Sequence, residues 1–400
     1  MQRKSVLSGL LFLLALAAGP SLLEAGEISQ YFPADEIEEH MRTKWRVVWG
    51  IEKHAGQSQI LYVKEAYFTR GPGEPEIKVL DDSRLAEIFV PYNGGGRIYD
   101  IIGYKWPLAN LNRLDLGPGC IVPGQIYDKD GNPAETGPVA LEIHDDHLRW
   151  MNSAGQSRRG QSMLLWSVLV AGNYRYVILY IFRDDGQIGF RVGATSHNLL
   201  STREDWATHL HTSCWRVNLA LKDQKSTRVS EVWLDTKASK TIEQPLDKEK
   251  RIRWDAETFK RLRIRSTAYS NQHDPASPIG YELLPISGSG RYYGRNEDFT
   301  QHDFWVTAGT PREIRCNDVH KYENGESLSG KEPVLWYLAG GNHSPRDEDF
   351  GKKEYDPGKG VALTAWVGFD LKPRDFFSST PLYPNETSHE SRLEAHEHHP

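Results

Sequence analysis

The alternation of apolar and polar positions is most regular in residues 170–198, where β-branched and aromatic residues follow one another. Asp185 and Gly186 interrupt this run near its middle. A short turn signal between two such runs is typical of a β-hairpin. We therefore predict a hairpin here, with Tyr174 near the start of its first strand.

Similar short runs recur at residues 45–49, 60–63, 77–80, 85–92 and 229–234, separated by turn signals. The 35 Gly and 22 Pro are frequent at such turns, and few segments have the apolar spacing of an amphipathic helix. This pattern predicts an all-β protein. The charged residues 247–265 are an exception, and we predict a polar helix or a solvated loop for them.

The first residues predict the compartment. Arg3 and Lys4 precede an apolar run at residues 6–18, and small residues follow near Ala25. This order is typical of a secretory signal peptide, and the run is short for a membrane span. We expect a signal peptide at residues 1–25 and a secreted or periplasmic protein; the alternative is an anchor that stays attached. At the other end, residues 385–400 form a polar, His-rich tail that we expect to be disordered.

Charge and cysteine content narrow the options further. The formal net charge is −6 and there is no long basic block, which argues against a nucleic-acid partner. Three cysteines, Cys120, Cys214 and Cys316, leave at least one thiol unpaired. The sequence permits one disulfide but does not determine its partners. Cys214 would lie on the strand face opposite to His211, so we interpret it as a small buried residue rather than a metal ligand.

His209 and His211 are two positions apart in a strand-like segment. Residues with this spacing share one face of a strand, so both imidazoles can reach one metal ion. The spacing alone is weak, because the tail contains a second such pair, His396 and His398.

The surrounding motifs resemble those of the copper amine oxidases. Asn173-Tyr174-Arg175-Tyr176 is similar to the family's Asn-Tyr-Asp-Tyr, whose first Tyr becomes topaquinone. Residues 186–195, the His pair and Arg216 follow in the family's order. Residues 340–349 resemble Gly-x-x-His-x-Pro-Arg-x-Glu-Asp, and 368–377 resemble the family's closing motif. The resemblance implies that His209, His211 and His343 bind copper and that Tyr174 is converted to topaquinone.

Two further roles are implied by the resemblance. Residues 85–92 resemble a family segment that ends in a Tyr hydrogen-bonded to the quinone, which is Tyr92 here. Asp100 is the nearest match to the family's catalytic base, although the neighbouring Gly103-Tyr104 is one step out of register. Asp115 and Asp128 are the rival candidates for the base. A carboxylate in this role must be ionised but desolvated, so we expect a raised pKa for Asp100.

The resemblance covers the catalytic domain only, which we place at residues 38–384. It implies a large antiparallel β-sandwich that forms homodimers. It also implies the oxidation of a small primary amine by O2 to an aldehyde, with release of ammonia and H2O2.

The chain departs from the family pattern at several positions. Arg175 replaces the acidic residue that follows the cofactor Tyr, and Val170 replaces a Thr. Glu142 stands where many members have the Cys that pairs with the counterpart of Cys120, and we interpret the nearby His144 as structural. Asn218 replaces a calcium-binding Asp, which weakens the expectation of calcium.

Two other functions stay open from the sequence. One is a secreted copper-binding β protein of the same fold that has lost amine oxidase turnover, which the charge reversal at Arg175 suggests. The other is a zinc hydrolase on a β scaffold, because three His ligands and a water also form a hydrolytic zinc site.

Overall fold

The structure, a computed structural model, describes residues 26–36, 38, 41–92, 96–153, 157–196, 209–222, 224–286, 297–310, 312–343 and 362–379. The expected signal peptide at residues 1–25 and the polar tail at 385–400 lie outside these residues. Ser344 to Asp349, which make up most of the family motif at residues 340–349, lie outside them as well. Among the described residues, no helix is long and apolar enough to cross a bilayer.

The described residues are dominated by strands. In chain order they are β1 (Gly26–Phe32), β2 (Thr43–Lys53), β3 (Gln59–Thr69), β4 (Ile77–Pro91), β5 (Arg97–Tyr99), β6 (Leu111–Asn112), β7 (Cys120–Tyr127), β8 (Pro133–Ala134), β9 (Thr136–Gly137), β10 (Val139–Met151) and β11 (Ser157–Ala171). They continue with β12 (Tyr174–Arg183), β13 (Ile188–Ser196), β14 (His209–Asn218), β15 (Thr227–Asp235), β16 (Lys240–Pro245), β17 (Lys250–Ile252), β18 (Arg261–Ser270), β19 (Pro278–Pro285), β20 (Phe304–Ala308), β21 (Pro333–His343) and β22 (Ala362–Arg374). The one α-helix within this part of the chain is a single turn, α1 (Val319–Tyr322).

Two large sheets form the fold. The first has the order β1-β2-β3-β4-β14-β21-β20-β17, with β5 paired to β4. The second has the order β16-β15-β18-β19-β22-β13-β12-β11-β10-β7-β8. The strand pairs that define both sheets are antiparallel. The prediction of an all-β, antiparallel sandwich is therefore confirmed.

The core lies between the two sheets. Tyr180 of β12 contacts Trp215 of β14 edge-on, with ring centroids 5.6 Å apart. The Tyr180 hydroxyl donates a hydrogen bond to the carbonyl oxygen of Leu61 on β3. These contacts join the second sheet to the first, and the inward faces of β12 and β14 pack against each other.

The predicted hairpin is confirmed as β12 and β13, which pair along their full lengths. Gly186 lies in the connecting turn with a φ of 87°, a conformation that glycine adopts without steric cost. Burial alternates at the start of β12, where Tyr174 and Tyr176 are buried and Arg175 is half-buried. This period of two turns both tyrosines toward the first sheet.

The prediction for residues 247–265 is confirmed only in part: residues 253–260 form a loop outside any strand or helix, but strands lie on either side of it. Lys250–Ile252 forms β17, and residues 261–265 lie in β18. Leu262 and Ile264 are fully buried in the core, whereas Arg263 bonds to Glu282 on the neighbouring strand β19. The sequence shows the charged residues of β18 but not their partners on other strands, and it therefore suggested a solvated segment.

One disulfide links Cys214 on β14 to Cys316, and Cys120 is free. The expectation of one unpaired thiol is confirmed. Cys214 is buried and lies on the strand face away from the His pair, as expected, but it is half of a cystine rather than an isolated apolar residue.

Candidate active site

Three histidines come together where β14 begins and β21 ends. His209 opens β14 and lies directly opposite His343, the last residue of β21, in the antiparallel register. Cross-strand partners share a sheet face, and so do residues two apart on one strand. The sheet therefore brings His209, His211 and His343 together, with their possible ligand atoms within 4.8 Å of one another.

The group is chemically suited to a metal ion. His209 and His211 are buried, and burial, reinforced by the imidazoles of His209 and His343, lowers the pKa of His211 far below its usual value. A neutral imidazole offers a nitrogen lone pair to a metal. Imidazole suits both copper and zinc, so the three ligands alone do not select between these metals.

Tyr174 lies against this group. Its side chain is buried at the start of β12, and its hydroxyl oxygen is 3.0 Å from Nε2 of His209. Its ring is also 4.8 Å, centroid to centroid, from the ring of His211. The phenol oxygen is therefore next to a nitrogen that could bind the metal.

The Arg175 side chain lies on the face of β12 opposite to Tyr174 and Tyr176. Its Nη1 donates hydrogen bonds to the carbonyl oxygens of Gly172 and Tyr174, at 2.9 Å each. The charge reversal relative to the family motif thus lies on the outer face of β12. The guanidinium holds the backbone at the position where Tyr174 enters the strand.

Tyr176 connects the His group to Asp100. Its hydroxyl donates to Oδ2 of Asp100 at 2.9 Å and is 3.0 Å from Nδ1 of His211. Because the hydroxyl hydrogen goes to the carboxylate, Nδ1 of His211 must carry the hydrogen that it shares with the phenol oxygen. This assignment leaves the Nε2 lone pair of His211 for a metal, and such a hydrogen-bonded support is typical of metal-ligating His.

Asp100 lies in the turn that follows β5, and its side chain is buried. Burial raises the pKa of its carboxyl to about 7, against the opposing hydrogen bond from Tyr176. The Trp106 indole, which lies nearby without completing a hydrogen bond, lowers the pKa slightly. The raised pKa is in the direction expected for a desolvated general base, and it makes both protonation states accessible near neutral pH.

A second buried carboxyl, Glu87, supports the turn that carries Asp100. Its Oε1 accepts the backbone N–H groups of Ile88 and Ile101, each at 2.9 Å. Burial raises the pKa of Glu87 to about 8, although these backbone bonds oppose the shift. The sequence motif contained Glu87, but sequence reasoning gave it no role.

A cavity of about 400 Å³ opens onto these groups. Asp100 and Tyr174 both line it, and Tyr92, Tyr104 and Trp106 contribute aromatic walls. The Tyr92 ring lies 4.8 Å from the ring of His209. The cavity is therefore large enough for a small organic molecule, with the Tyr174 and Asp100 side chains exposed to it.

The rival candidates for the base lie in surface turns. Asp115 accepts a hydrogen bond from the backbone N–H of Asn112 and caps a short 3-10 turn. Asp128 is half-buried and accepts hydrogen bonds from the backbone N–H groups of Asp130 and Asn132. Neither contributes to the cavity that Asp100 and Tyr174 share.

Sequence comparison assigns the family. The sequence profile described as "Copper amine oxidase, enzyme domain" matches residues 140–392, more than half of the chain. The chain belongs to the copper amine oxidase family. This family uses copper and topaquinone, and the His209, His211 and His343 group is one of two side-chain groups among the described residues that could bind a metal ion.

The chain aligns with individual members over most of its length, but at low sequence identity. Primary amine oxidase 2 of Arabidopsis thaliana is 21% identical over 422 residues, covering 91% of this chain and 61% of the relative. The primary amine oxidase of Arthrobacter sp. is 22% identical over 371 residues, covering 78% of this chain and 55% of the relative. The chain thus spans about three fifths of the length of these relatives.

Solved structures of the family share the fold. The copper-containing benzylamine oxidase of Hansenula polymorpha superposes with a TM-score of 0.60 at 17% identity, over 85% of this chain and 61% of that one. The amine oxidase of Aspergillus nidulans superposes with a TM-score of 0.59, over 96% of this chain and 58% of that one.

Besides Glu87 and Trp106, sequence reasoning gave no role to Tyr176, which the fold brings into the site. Tyr176 was visible as the second Tyr of the motif, where a Tyr two positions after another is usually ordinary sheet packing. Its alternation with Tyr174 on β12 was a signal that both side chains share one face. The partner groups, Asp100 and His211, come from other strands, so their contact with Tyr176 depends on how the two sheets pack.

Proposed function

We propose that the protein catalyses the oxidative deamination of a primary amine. The reaction converts the amine, O2 and water to an aldehyde, ammonia and H2O2. In this proposal His209, His211 and His343 bind copper, and Tyr174 is the precursor of topaquinone. The observation that carries the proposal is the contact of the Tyr174 hydroxyl with His209 inside the His group, in a cavity that Asp100 also lines.

The donor set fits the implied group. Three closely spaced imidazoles suit copper, and the adjacent phenol is the side chain that copper and O2 can oxidise. When formed, the quinone supplies an electrophilic carbonyl that takes up a primary amine. Zinc has no redox chemistry and could not oxidise this phenol, so the position of Tyr174 favours amine oxidation over zinc-dependent hydrolysis.

The protein's own residues have defined tasks in this reaction. Asp100, as the carboxylate, accepts a proton from the carbon next to the substrate nitrogen, and its raised pKa helps it to hold that proton. Tyr176 keeps the carboxylate oriented through its hydrogen bond. The aromatic walls of the cavity, including Tyr92 and Trp106, bury the apolar part of a small amine and exclude water.

Amine-dependent H2O2 release tests the proposal. Copper-loaded, aerated wild-type protein should release H2O2 and aldehyde in equal amounts when given a panel of primary amines. Tyr174→Phe should release neither, whereas the control Tyr31→Phe, which changes an exposed hydroxyl on β1, should behave as wild type. Absence of amine-dependent H2O2 from copper-loaded wild-type protein would overturn the proposal.

Arg175 favours one alternative, a copper-binding protein of the same fold without turnover. Its guanidinium holds the carbonyl oxygens of Gly172 and Tyr174 and could restrict the movement of the Tyr174 ring. An Arg175→Asp variant restores the acidic residue of the family motif. If this variant forms a quinone and the wild type does not, the alternative is correct. Secretion and homodimer formation stay predictions, to be checked by signal-peptide cleavage and by sedimentation.

A further inference from the structure

A second group of metal-ligating side chains lies on the β7–β10 pair. Cys120 is the first residue of β7 and lies directly opposite His144 of β10 in the antiparallel register. Glu142 is two positions before His144 and so shares its strand face. The thiol, one imidazole nitrogen and one carboxylate oxygen lie within 4.8 Å of one another.

We propose that Cys120, Glu142 and His144 form a second metal site, of the kind that binds Zn²⁺. The site is separate from the three-His group and independent of amine oxidation. The ligands would be Sγ of Cys120, Oε2 of Glu142 and Nε2 of His144, with a water in the fourth position of a tetrahedron.

Two of the three distances between the ligand atoms match such an ion. Sγ of Cys120 is 3.7 Å from Nε2 of His144 and 3.8 Å from Oε2 of Glu142. In a tetrahedral zinc site, bond lengths of about 2.3 Å to sulfur and about 2.0 Å to nitrogen place these two ligands about 3.6 Å apart. Glu142 Oε2 and His144 Nε2 are in direct hydrogen-bond contact, closer together than two ligands of one tetrahedral ion, so they would have to separate to about 3.3 Å to admit it.

Neighbouring groups hold the carboxylate in place. The other oxygen of Glu142, Oε1, accepts hydrogen bonds from Nε1 of Trp166 and from the backbone N–H of Gly117, both at 3.2 Å. These bonds leave Oε2 directed at Cys120 and His144. A supporting arrangement of this kind is what orients the ligands of established metal sites.

Charge and access also suit a divalent cation. When the ion binds, the Cys120 thiol releases its proton to solvent and a metal–sulfur bond forms. The resulting thiolate and the Glu142 carboxylate together balance the two positive charges, so the occupied site is neutral. The Glu142 side chain is only 7% exposed, but the His144 side chain is 28% exposed and gives the ion a path from solvent.

The loop before β7 closes over the group. A side chain at Gly117 would have its Cβ 3.0 Å from Oε2 of Glu142 and 3.1 Å from Cε1 of His144. A larger residue here would push against both ligands, which would have to shift by a few tenths of an ångström. A bound ion would therefore fix the 117–119 loop to β10.

Cobalt(II) titration of the metal-free, full-length protein tests the site. The chain has three cysteines, and two of them form the disulfide, so a thiolate-to-cobalt absorption band can arise only from Cys120. We expect the wild type to develop this near-ultraviolet band with about one equivalent of cobalt and to lose it when Zn²⁺ is added. Cobalt bound at the three-His group would produce no sulfur band, because that group has no sulfur ligand.

Substitutions identify the other ligands. Glu142→Gln keeps an oxygen for Trp166 and Gly117, so it should fold normally, and both it and His144→Gln should weaken cobalt binding by about 10-fold or more. The control is His147→Gln, which changes an exposed residue of the same strand and should leave the band unchanged. Zn²⁺ should also slow alkylation of Cys120 in the folded wild type. No band in the wild type, or a band of unchanged affinity in both Glu142→Gln and His144→Gln, would overturn the proposal.

Discussion

At the scale of single residues, the proposed proton chemistry depends on Asp100 and Tyr176. Tyr176 donates to Asp100 and contacts His211, so the carboxylate and a metal ligand are joined by one hydroxyl. Asp100 is among the residues that line the cavity and Tyr176 is not. The proposed base and the residue that lowers its pKa are therefore different side chains, and they can be tested separately.

Asp100→Asn should separate turnover from cofactor formation. The variant keeps the size of the side chain but cannot accept a proton, whereas quinone formation needs copper, O2 and Tyr174. We expect normal copper content and quinone formation, with amine-dependent H2O2 release lower by about 10²-fold or more. Asp115→Asn is the matched surface control. Near-normal turnover in Asp100→Asn, with a loss in Asp115→Asn or Asp128→Asn, would show that the base has been assigned wrongly.

Tyr176→Phe should change the pH dependence. The base works only as the carboxylate, so the rate of quinone reduction by amine should rise as the pH rises through about 7, the pKa of Asp100. The Tyr176 hydrogen bond lowers this pKa, and its removal should move the rising limb to higher pH. Stopped-flow rates across the pH range measure the shift. A limb that stays in place, or moves to lower pH, contradicts the assigned role of the hydroxyl.

At the scale of elements, the sequence predicted the strands that carry the site. The spacing of His209 and His211 predicted a shared strand face, and the run after Tyr174 predicted the β12–β13 hairpin, because both depend on local alternation. The disulfide partner of Cys214 could not be predicted, since it depends on how distant segments pack. β18 was missed because it carries charged residues such as Arg263, whose partners are carboxylates on the adjacent strand β19 and on β16, two strands away.

The packing of β22 against β21 should be essential for the metal site. Gly341 pairs with His211 across β14 and β21, and a Cβ at this position would collide with Val367 of β22. Gly341→Ala should therefore destabilise the protein by about 1–3 kcal/mol and reduce copper retention. Urea unfolding and metal analysis measure these effects. In the control Gly71→Ala the nearest atoms lie at 3.8 Å; equal behaviour of the two variants would show that the close approach is unimportant.

At the scale of the whole molecule, the disulfide joins β14 to a segment 102 residues away. Cross-linking so distant a pair restricts the unfolded chain, and such bonds typically contribute about 2–4 kcal/mol. The double variant Cys214→Ala/Cys316→Ala should lose about this much in free energy of unfolding. The control is Cys120→Ala, which removes the free cysteine. Measured without metal, it should change the free energy of unfolding little. Unchanged stability of the double variant would mean that the bond does not form in the folded protein.

The central claim is that copper bound by the three His residues converts Tyr174 to a quinone. The most direct test loads the metal-free protein with copper under anaerobic conditions, admits O2, adds phenylhydrazine and locates the adduct by peptide mass spectrometry. Our account predicts a visible absorption band that appears only after O2 is admitted, and an adduct on residue 174 that is absent from His209→Ala. A copper-loaded, aerated wild-type protein that stays colourless, or an adduct on any residue other than Tyr174, would contradict it.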